Sequence, residues 1–241
     1  MSRDNSLDGF LGGRLSIAQP RRGFRAGHDT VLLAASVPAL GGSHVLELGS
    51  GAGVASLCLA CRVPQVRVTG IEIDPELVAL ANENAERNGM AGRVGFECGD
   101  AASIGGETIF DHVFFNPPFH PASGEESPNM GRDLATRDVS NAIADWTRTA
   151  LALTRPDGTV TAILRADRVD EMLAAGDGRG IVLFPLFPRM SEAPKRMIVQ
   201  FRKGNSSPLH LTAGLVLHEQ DGRNTDAAEA VLRHGLALRL V

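Results

Sequence analysis

The sequence predicts a doubly wound α/β fold on a mostly parallel sheet. Short apolar, β-branched runs alternate with stretches of helical length from residue 44 onward, the pattern of successive βαβ units. A glycine turn, Gly49-Ser50-Gly51-Ala52-Gly53, lies between the first of these runs and the helical stretch that follows it. Glycines there permit a tight turn and a close approach of backbone to a ligand. The chain has 241 residues, 43% hydrophobic and 22% charged, enough for one domain with a well-buried core. With no repeat and no linker-like segment, a single domain over 1–241 is expected, with 1–40 as an extension ahead of it.

In order, Phe10 to Ala18 predicts a short strand or hairpin with Gly12-Gly13 as a turn, and Gln19 to Gly23 a loop. Asp29 is the expected N-cap of a helix through Val31–Ala35, closed by Pro38 and Gly41-Gly42. His44 to Leu48 is a buried strand, Val54 to Arg62 a helix, and Val66 to Ile73 a strand. Pro75 suits a first helical turn, and the helix runs over Glu76–Asn88 until Gly89 stops it. Val94 to Glu97 and Ile109 to Phe115 are strands. Pro121 to Arg137 is a long polar loop of the kind that gates a site. A helix over Val139–Leu153, a turn at Pro156-Asp157-Gly158 and a strand over Thr159–Leu164 come next. A short helix (Val169–Ala175), a strand pair (Ile181–Phe187, Arg196–Phe201), a further strand within Leu209–Leu217 and a terminal helix (Asp226–Leu236) complete the expectation.

The formal net charge is -4, which argues against a broad basic face for nucleic acid. Two local clusters remain: Arg14, Arg21, Arg22 and Arg25, and Lys195, Arg196, Arg202 and Lys203. Each also fits an ordinary solvated face. Cys58 and Cys61 have C-x-x-C spacing, but no second ligand pair accompanies them. They read as small apolar helix residues, and no metal site is expected. No apolar run reaches membrane-span length and the N-terminus has no signal-peptide pattern, so a cytoplasmic protein is expected.

The chemistry concentrates at Asn116-Pro117-Pro118-Phe119, after the apolar run Val113-Phe114-Phe115. Consecutive prolines end a strand and leave a rigid corner. The Asn116 amide oxygen and a backbone carbonyl can accept from a planar amino group, and the Phe119 ring can stack on the ring that carries it. Upstream, Glu72 ends the second core strand, where a carboxylate can accept both hydroxyls of a ribose. The dinucleotide pattern G-x-G-x-x-G needs its third glycine at Val54; here the pattern is G-x-G-x-G. An adenosine-containing cofactor other than a dinucleotide is indicated.

Glu47 to Gly53 resembles the E/D-x-G-x-G-x-G loop of S-adenosylmethionine-dependent methyltransferases, and Gly99-Asp100-Ala101 follows the third strand, where that superfamily places an acid near the adenine amino group. The resemblance implies a Rossmann-like, seven-stranded sheet with an antiparallel last strand. It implies S-adenosyl-L-methionine as cofactor, held by Glu47, Gly49, Ser50, Gly51, Gly53, Glu72, Ile73, Asp100, Ala101 and Asn116. It places residues 1–40 beside the cofactor site, and it makes Asn116, Pro117 and Phe119 the catalytic corner, acting on a nitrogen whose lone pair is delocalised.

Phe10-Leu11-Gly12-Gly13-Arg14-Leu15, Gln19-Pro20 and Gly23-Phe24-Arg25-Ala26-Gly27 are similar to the N-terminal signature of bacterial tRNA adenine-N6 methyltransferases of the methyltransferase small-domain group. Arg155 to Gly158, Pro194-Lys195-Arg196 and Leu217-His218-Glu219 extend the likeness over nearly the whole chain. It implies a transient tRNA partner, with the adenine 3′ of the anticodon of a valine tRNA as target, and a monomer by default. The expected RNA contacts are Arg21, Arg25, Pro118, His120, Lys195 and Arg196. Two features depart from or blur the pattern: His28 stands where Thr is expected, and with Phe119-His120 the corner reads N-P-P-F-H, which also occurs in rRNA guanine-N2 methyltransferases. That activity, protein glutamine-N5 methylation (usually N-P-P-Y) and a non-catalytic nucleotide- or RNA-binding subunit are the alternatives.

Overall fold

In the computed structural model, which describes residues 5–105, 110–118, 142–176 and 178–241, the chain opens on an antiparallel hairpin, β1 (Asn5–Phe10) and β2 (Leu15–Pro20). Helix α1 (His28–Ser36) follows. The alternation then begins with β3 (His44–Leu48), α2 (Val54–Arg62), β4 (Arg67–Glu72), α3 (Pro75–Arg87), β5 (Val94–Cys98) and β6 (Phe110–Phe115). The second half holds α4 (Ala142–Leu153), β7 (Thr154–Arg165), α5 (Val169–Ala175), β8 (Ile181–Phe187) and β9 (Arg196–Arg202). Two short strands, β10 (His210–Leu211) and β11 (Leu215–Val216), and helix α6 (Asp226–Leu232) complete it.

The main sheet runs β5-β4-β3-β6-β7-β9-β8, with β10 and β11 both added to β8. Of the seven long strands only β9 is antiparallel to its neighbours. The doubly wound sheet with an antiparallel last strand is therefore as expected, with β9 inserted between β7 and β8. The Leu209–Leu217 run forms two strands rather than one, parted at Gly214, whose φ is +74°.

Strand order reverses at β3, with β4 on one side and β6 on the other. Leu48 is in register with both Ile71 and Phe115, and Glu72 with Cys98. The glycine turn, Glu72, Gly99-Asp100 and Asn116 therefore emerge along one edge, at the carboxyl ends of the parallel strands, where open α/β sheets bind ligands.

Side-chain alternation splits the core between the two faces. Val45, Val68, Phe114, Ile163 and Ile198 pack with α1, α2, α3 and α6, while Leu46, Leu48, Val113, Phe115 and Val160 pack with α4 and α5. Phe114 and Phe115 are fully buried on opposite faces. This two-sided burial is why their strand reads as a continuous apolar run.

Sequence punctuation sets α3 at both ends. The Glu76 and Leu77 N–H groups donate to the Asp74 carboxylate (2.8 and 3.4 Å), Pro75 occupies the first turn, and Gly89 (φ +68°) follows the helix. Three expectations are corrected. Gly27, not Asp29, caps α1; Asp29 lies in the first turn and pairs instead with Arg196. Pro156-Asp157-Gly158 is a kink inside β7, with Asp157 at φ +64° and the register to β6 shifting across it. The terminal helix ends at Leu232 because Gly235 (φ +65°) turns the chain back, burying Leu238 and Leu240. The expected gating loop, Pro121 to Arg137, lies outside the described residues. Among the described residues no helix is long and apolar enough to cross a membrane.

Candidate active site

The glycine turn is bound to the strand beside it. The Gly49 and Ser50 N–H groups both donate to the Ile71 carbonyl (2.8 and 3.0 Å), and Gly51 N–H donates to Glu72 Oε2 (2.8 Å). The other oxygen of Glu72 accepts from Asp74 N–H at 3.0 Å. Two positions require glycine. At Gly49 (φ +68°) a Cβ would stand 2.5 Å from the Trp146 ring, and at Gly53 (φ +82°) 2.5 Å from Phe96 Cζ. Over Gly51 a Cβ would meet nothing within 4 Å, and the Ser50 hydroxyl is buried with no partner among the described residues. Open space above the backbone, an uncommitted hydroxyl and a rim carboxylate fit an adenosyl cofactor.

Glu47 lies below the turn. It is 4% exposed, and its Oε2 accepts from both the N–H and the hydroxyl of Ser56, in the first turn of α2. Burial pushes the carboxyl up to about 8, although the Ser56 hydrogen bonds pull the other way. Ile73, 42% exposed, and Asp100 flank the rim. The Ala102 N–H donates to Asp100 Oδ1 (3.0 Å), and Ala101 is buried beneath.

At the end of β6 the Asn116 side-chain oxygen is buried with no hydrogen-bond partner among the described residues. Pro117 is buried and Pro118 exposed, while Phe119 and His120 lie outside the described residues. Asn116 borders a cavity of about 320 Å³ whose wall also includes Phe24, His28, Asp29, Thr30 and Arg196. Arg196 Nε donates to Asp29 Oδ2 at 2.7 Å. This ion pair ties the start of α1 to β9 across the cavity wall.

The N-terminal hairpin is fastened beside the glycine turn by two asparagines four residues apart, Asn84 on α3 and Asn88 at its C-cap. Ala18 N–H donates to Asn84 Oδ1 (2.8 Å), and Asn84 Nδ2 donates to the carbonyls of Ala18 (2.9 Å) and Ala52 (3.0 Å). Asn88 repeats the exchange with Ser16, at 3.0 Å in each direction. The two amides complete the β2 edge as another strand would, and Asn84 reaches the glycine turn as well. Gln19 then clasps the loop toward the cavity: Ala26 N–H donates to Gln19 Oε1 (2.8 Å), and Gln19 Nε2 donates to Asp8 Oδ2 (2.8 Å).

The expected basic contacts separate in space and duty. Arg25 pairs with Asp8 at 2.6 Å and borders the cavity; Arg21 is exposed on the loop before it. Lys195 is exposed beside Arg196. Arg14 donates to the Leu11 and His234 carbonyls, tying the hairpin to the turn after α6, and Lys203 donates to the Leu151 and Thr154 carbonyls at the end of α4 and the start of β7. Asn84, Trp146 and Thr30 were not expected from sequence. A buried Asn on the inward face of an amphipathic helix is a legible signal; its partners on β2 and at Ala52 are not.

The family model described as Methyltransferase small domain matches residues 26–139. A solved structure titled a predicted O-methyltransferase, protein Atu636 from Agrobacterium tumefaciens, superposes with a TM-score of 0.72 at 26% identity, covering 88% of this chain and 98% of that one. With the strand order and the site edge described above, these define a class I S-adenosylmethionine-dependent methyltransferase. The tRNA1(Val) (adenine(37)-N6)-methyltransferase of Porphyromonas gingivalis is 31% identical over 229 residues, 87% of each chain. That of Actinobacillus succinogenes is 26% identical over 90% of this chain and 92% of its own. The chain belongs to this family of tRNA adenine-N6 methyltransferases.

Proposed function

We propose that the protein methylates the exocyclic N6 of adenine 37 in tRNA1(Val). The observation that carries the reading is the register of Leu48 with Phe115, which sets Asn116 beside the glycine turn with its side-chain oxygen uncommitted. S-adenosyl-L-methionine, when bound, supplies the electrophilic methyl group. Glu72 takes the ribose hydroxyls, Asp100 the adenine amino group, and Ile73 and Ala101 flank the ring. Gly49, Ser50, Gly51 and Gly53 cradle the rest from the backbone, and Glu47 supports that turn through Ser56. Residues 1–40 close one side of the site.

The Asn116 side-chain oxygen and the Pro117 carbonyl accept the two hydrogens of the target amino group. Holding both hydrogens aims the nitrogen lone pair out of conjugation and toward the methyl donor, a contribution of positioning and preorganised dipoles. The proton leaves after the methyl arrives, so no separate base is required. Phe119 stacks on the extruded base, and extrusion from a single-stranded loop costs less than from a duplex. A hydroxyl nucleophile carries one hydrogen and would leave one of the two acceptors unused, which favours an amino substrate. Arg21, Arg25, Pro118, Lys195 and Arg196, with His120 from the resemblance, are the contacts assigned to cytoplasmic tRNA.

The test is transfer of labelled methyl from S-adenosylmethionine to unmodified bulk tRNA, with nucleosides identified by mass spectrometry, for the wild type and Asn116→Ala. N6-methyladenosine from the wild type and none from the variant is the expected result. Methylguanosine, or label confined to rRNA or protein, overturns the substrate assignment.

A further inference from the structure

Two residues of the cavity wall, Asn116 and Thr30, each carry a buried side-chain oxygen without a partner among the described residues. Thr30 is only 6% exposed and sits in the first turn of α1. Buried hydroxyls ordinarily find a partner, and one left over at a ligand cavity points to the ligand. Resting on the reading of this cavity as the site for the target base, we propose that Thr30 positions the adenine ring, its hydroxyl donating to N1 or N7 beside the amino group.

Asn116 and Pro117 recognise an amino group but not the ring that bears it. In adenine the nitrogens on the amino side, N1 and N7, are both acceptors. The Thr30 hydroxyl, on the same cavity wall as Asn116, can donate to one of them. A site built to hydrogen-bond a substrate atom discriminates strongly against analogues that leave its polar group unpaired.

The experiment uses the full-length protein and tRNA1(Val) assembled with adenosine, 1-deazaadenosine or 7-deazaadenosine at position 37. N6-methylation of the adenosine substrate by the wild type is established first, so failure of the functional reading is seen separately. Thr30→Val is then expected to lower kcat/KM on adenosine about tenfold, while Thr30→Ser keeps most of it. The wild type should lose a similar factor on one deaza substrate, and Thr30→Val should lose nothing more on that substrate, the signature of a shared interaction. Cofactor affinity by calorimetry serves as the folding control. Undiminished activity of Thr30→Val on adenosine overturns the proposal. So does an equal loss on all three substrates. Equal use of all three substrates by the wild type also overturns it, and that comparison stands even if the variant fails to fold.

Discussion

Glu47 shows how one buried side chain sets a measurable property. Burial raises its carboxyl from 4.5 to about 8. A carboxyl raised in the folded state contributes stability that is fully present below about 4.5 and lost as pH rises through about 8. His112, half-buried on β6 and hydrogen-bonded to Thr159 at 2.9 Å, is lowered by desolvation from 6.5 to about 4. Its contribution is present above 6.5 and lost as pH falls through about 4. The two oppose each other from 4.5 to 6.5, and Glu47 stands clear of His112 from 6.5 to 8. The ligand-free protein should therefore show a falling urea midpoint across that upper interval, and Glu47→Gln should flatten the fall. An undiminished fall in the variant would assign it to other groups.

At the scale of elements, the connection that matters runs from α3 to the hairpin and the glycine turn. Asn84→Ala strips partners from Ala18 N–H, Ala18 C=O and Ala52 C=O in a buried position. At about 1–3 kcal/mol for each buried group left unsatisfied, partly relieved by relaxation, the loss should be on the order of 3 kcal/mol. Denaturant titration should show it, and calorimetry should show weaker binding of the cofactor, because Ala52 belongs to the turn. Asn88→Ala, only part-buried, should cost less than half as much. Gly53→Ala tests the turn differently, meeting an unfavourable positive φ and the Phe96 ring together. Adding Phe96→Leu should recover the steric part and leave the backbone part, about 1 kcal/mol. A double-mutant cycle with no coupling would show that the ring is not the obstacle.

For the molecule as a whole, a net charge of -4 meets a polyanion through a few local cations. The salt dependence of tRNA binding should therefore be shallow, each neutralised phosphate adding about 0.7 to 0.9 to the slope of log K against log salt. Lys195 is the cleaner probe of the second basic cluster, because Arg196 is engaged with Asp29. Lys195→Glu should weaken binding several-fold and reduce the slope by about 1 in filter binding at graded salt. An unchanged slope would return Lys195 to an ordinary solvated surface. At this scale the doubly wound sheet was legible beforehand, whereas the switch at β3 came from the strand order. Alternating apolar runs report two-sided burial directly, and the kink hidden in β7 escaped because Asp157-Gly158 carries the same composition as a terminating turn.

Local motifs were enough for the class of protein: the glycine turn, the acids at the end of β4 and after β5 and the Asn-Pro-Pro corner. Each of these is a contiguous motif whose chemistry depends on residue type and short spacing. Tertiary structure decided which side chains complete them. Asn84 spans 66 residues to Ala18, Asp29 meets Arg196 across 167, and Trp146 lies against Gly49 from the other half of the chain. It also decided that Glu47 would be spent on Ser56 and that Thr30 would stand in the cavity wall with its hydroxyl unpartnered among the described residues. Such pairings are set by strand register and by which helix face meets the sheet. They arise only when distant segments pack, and no local pattern of residues carries them.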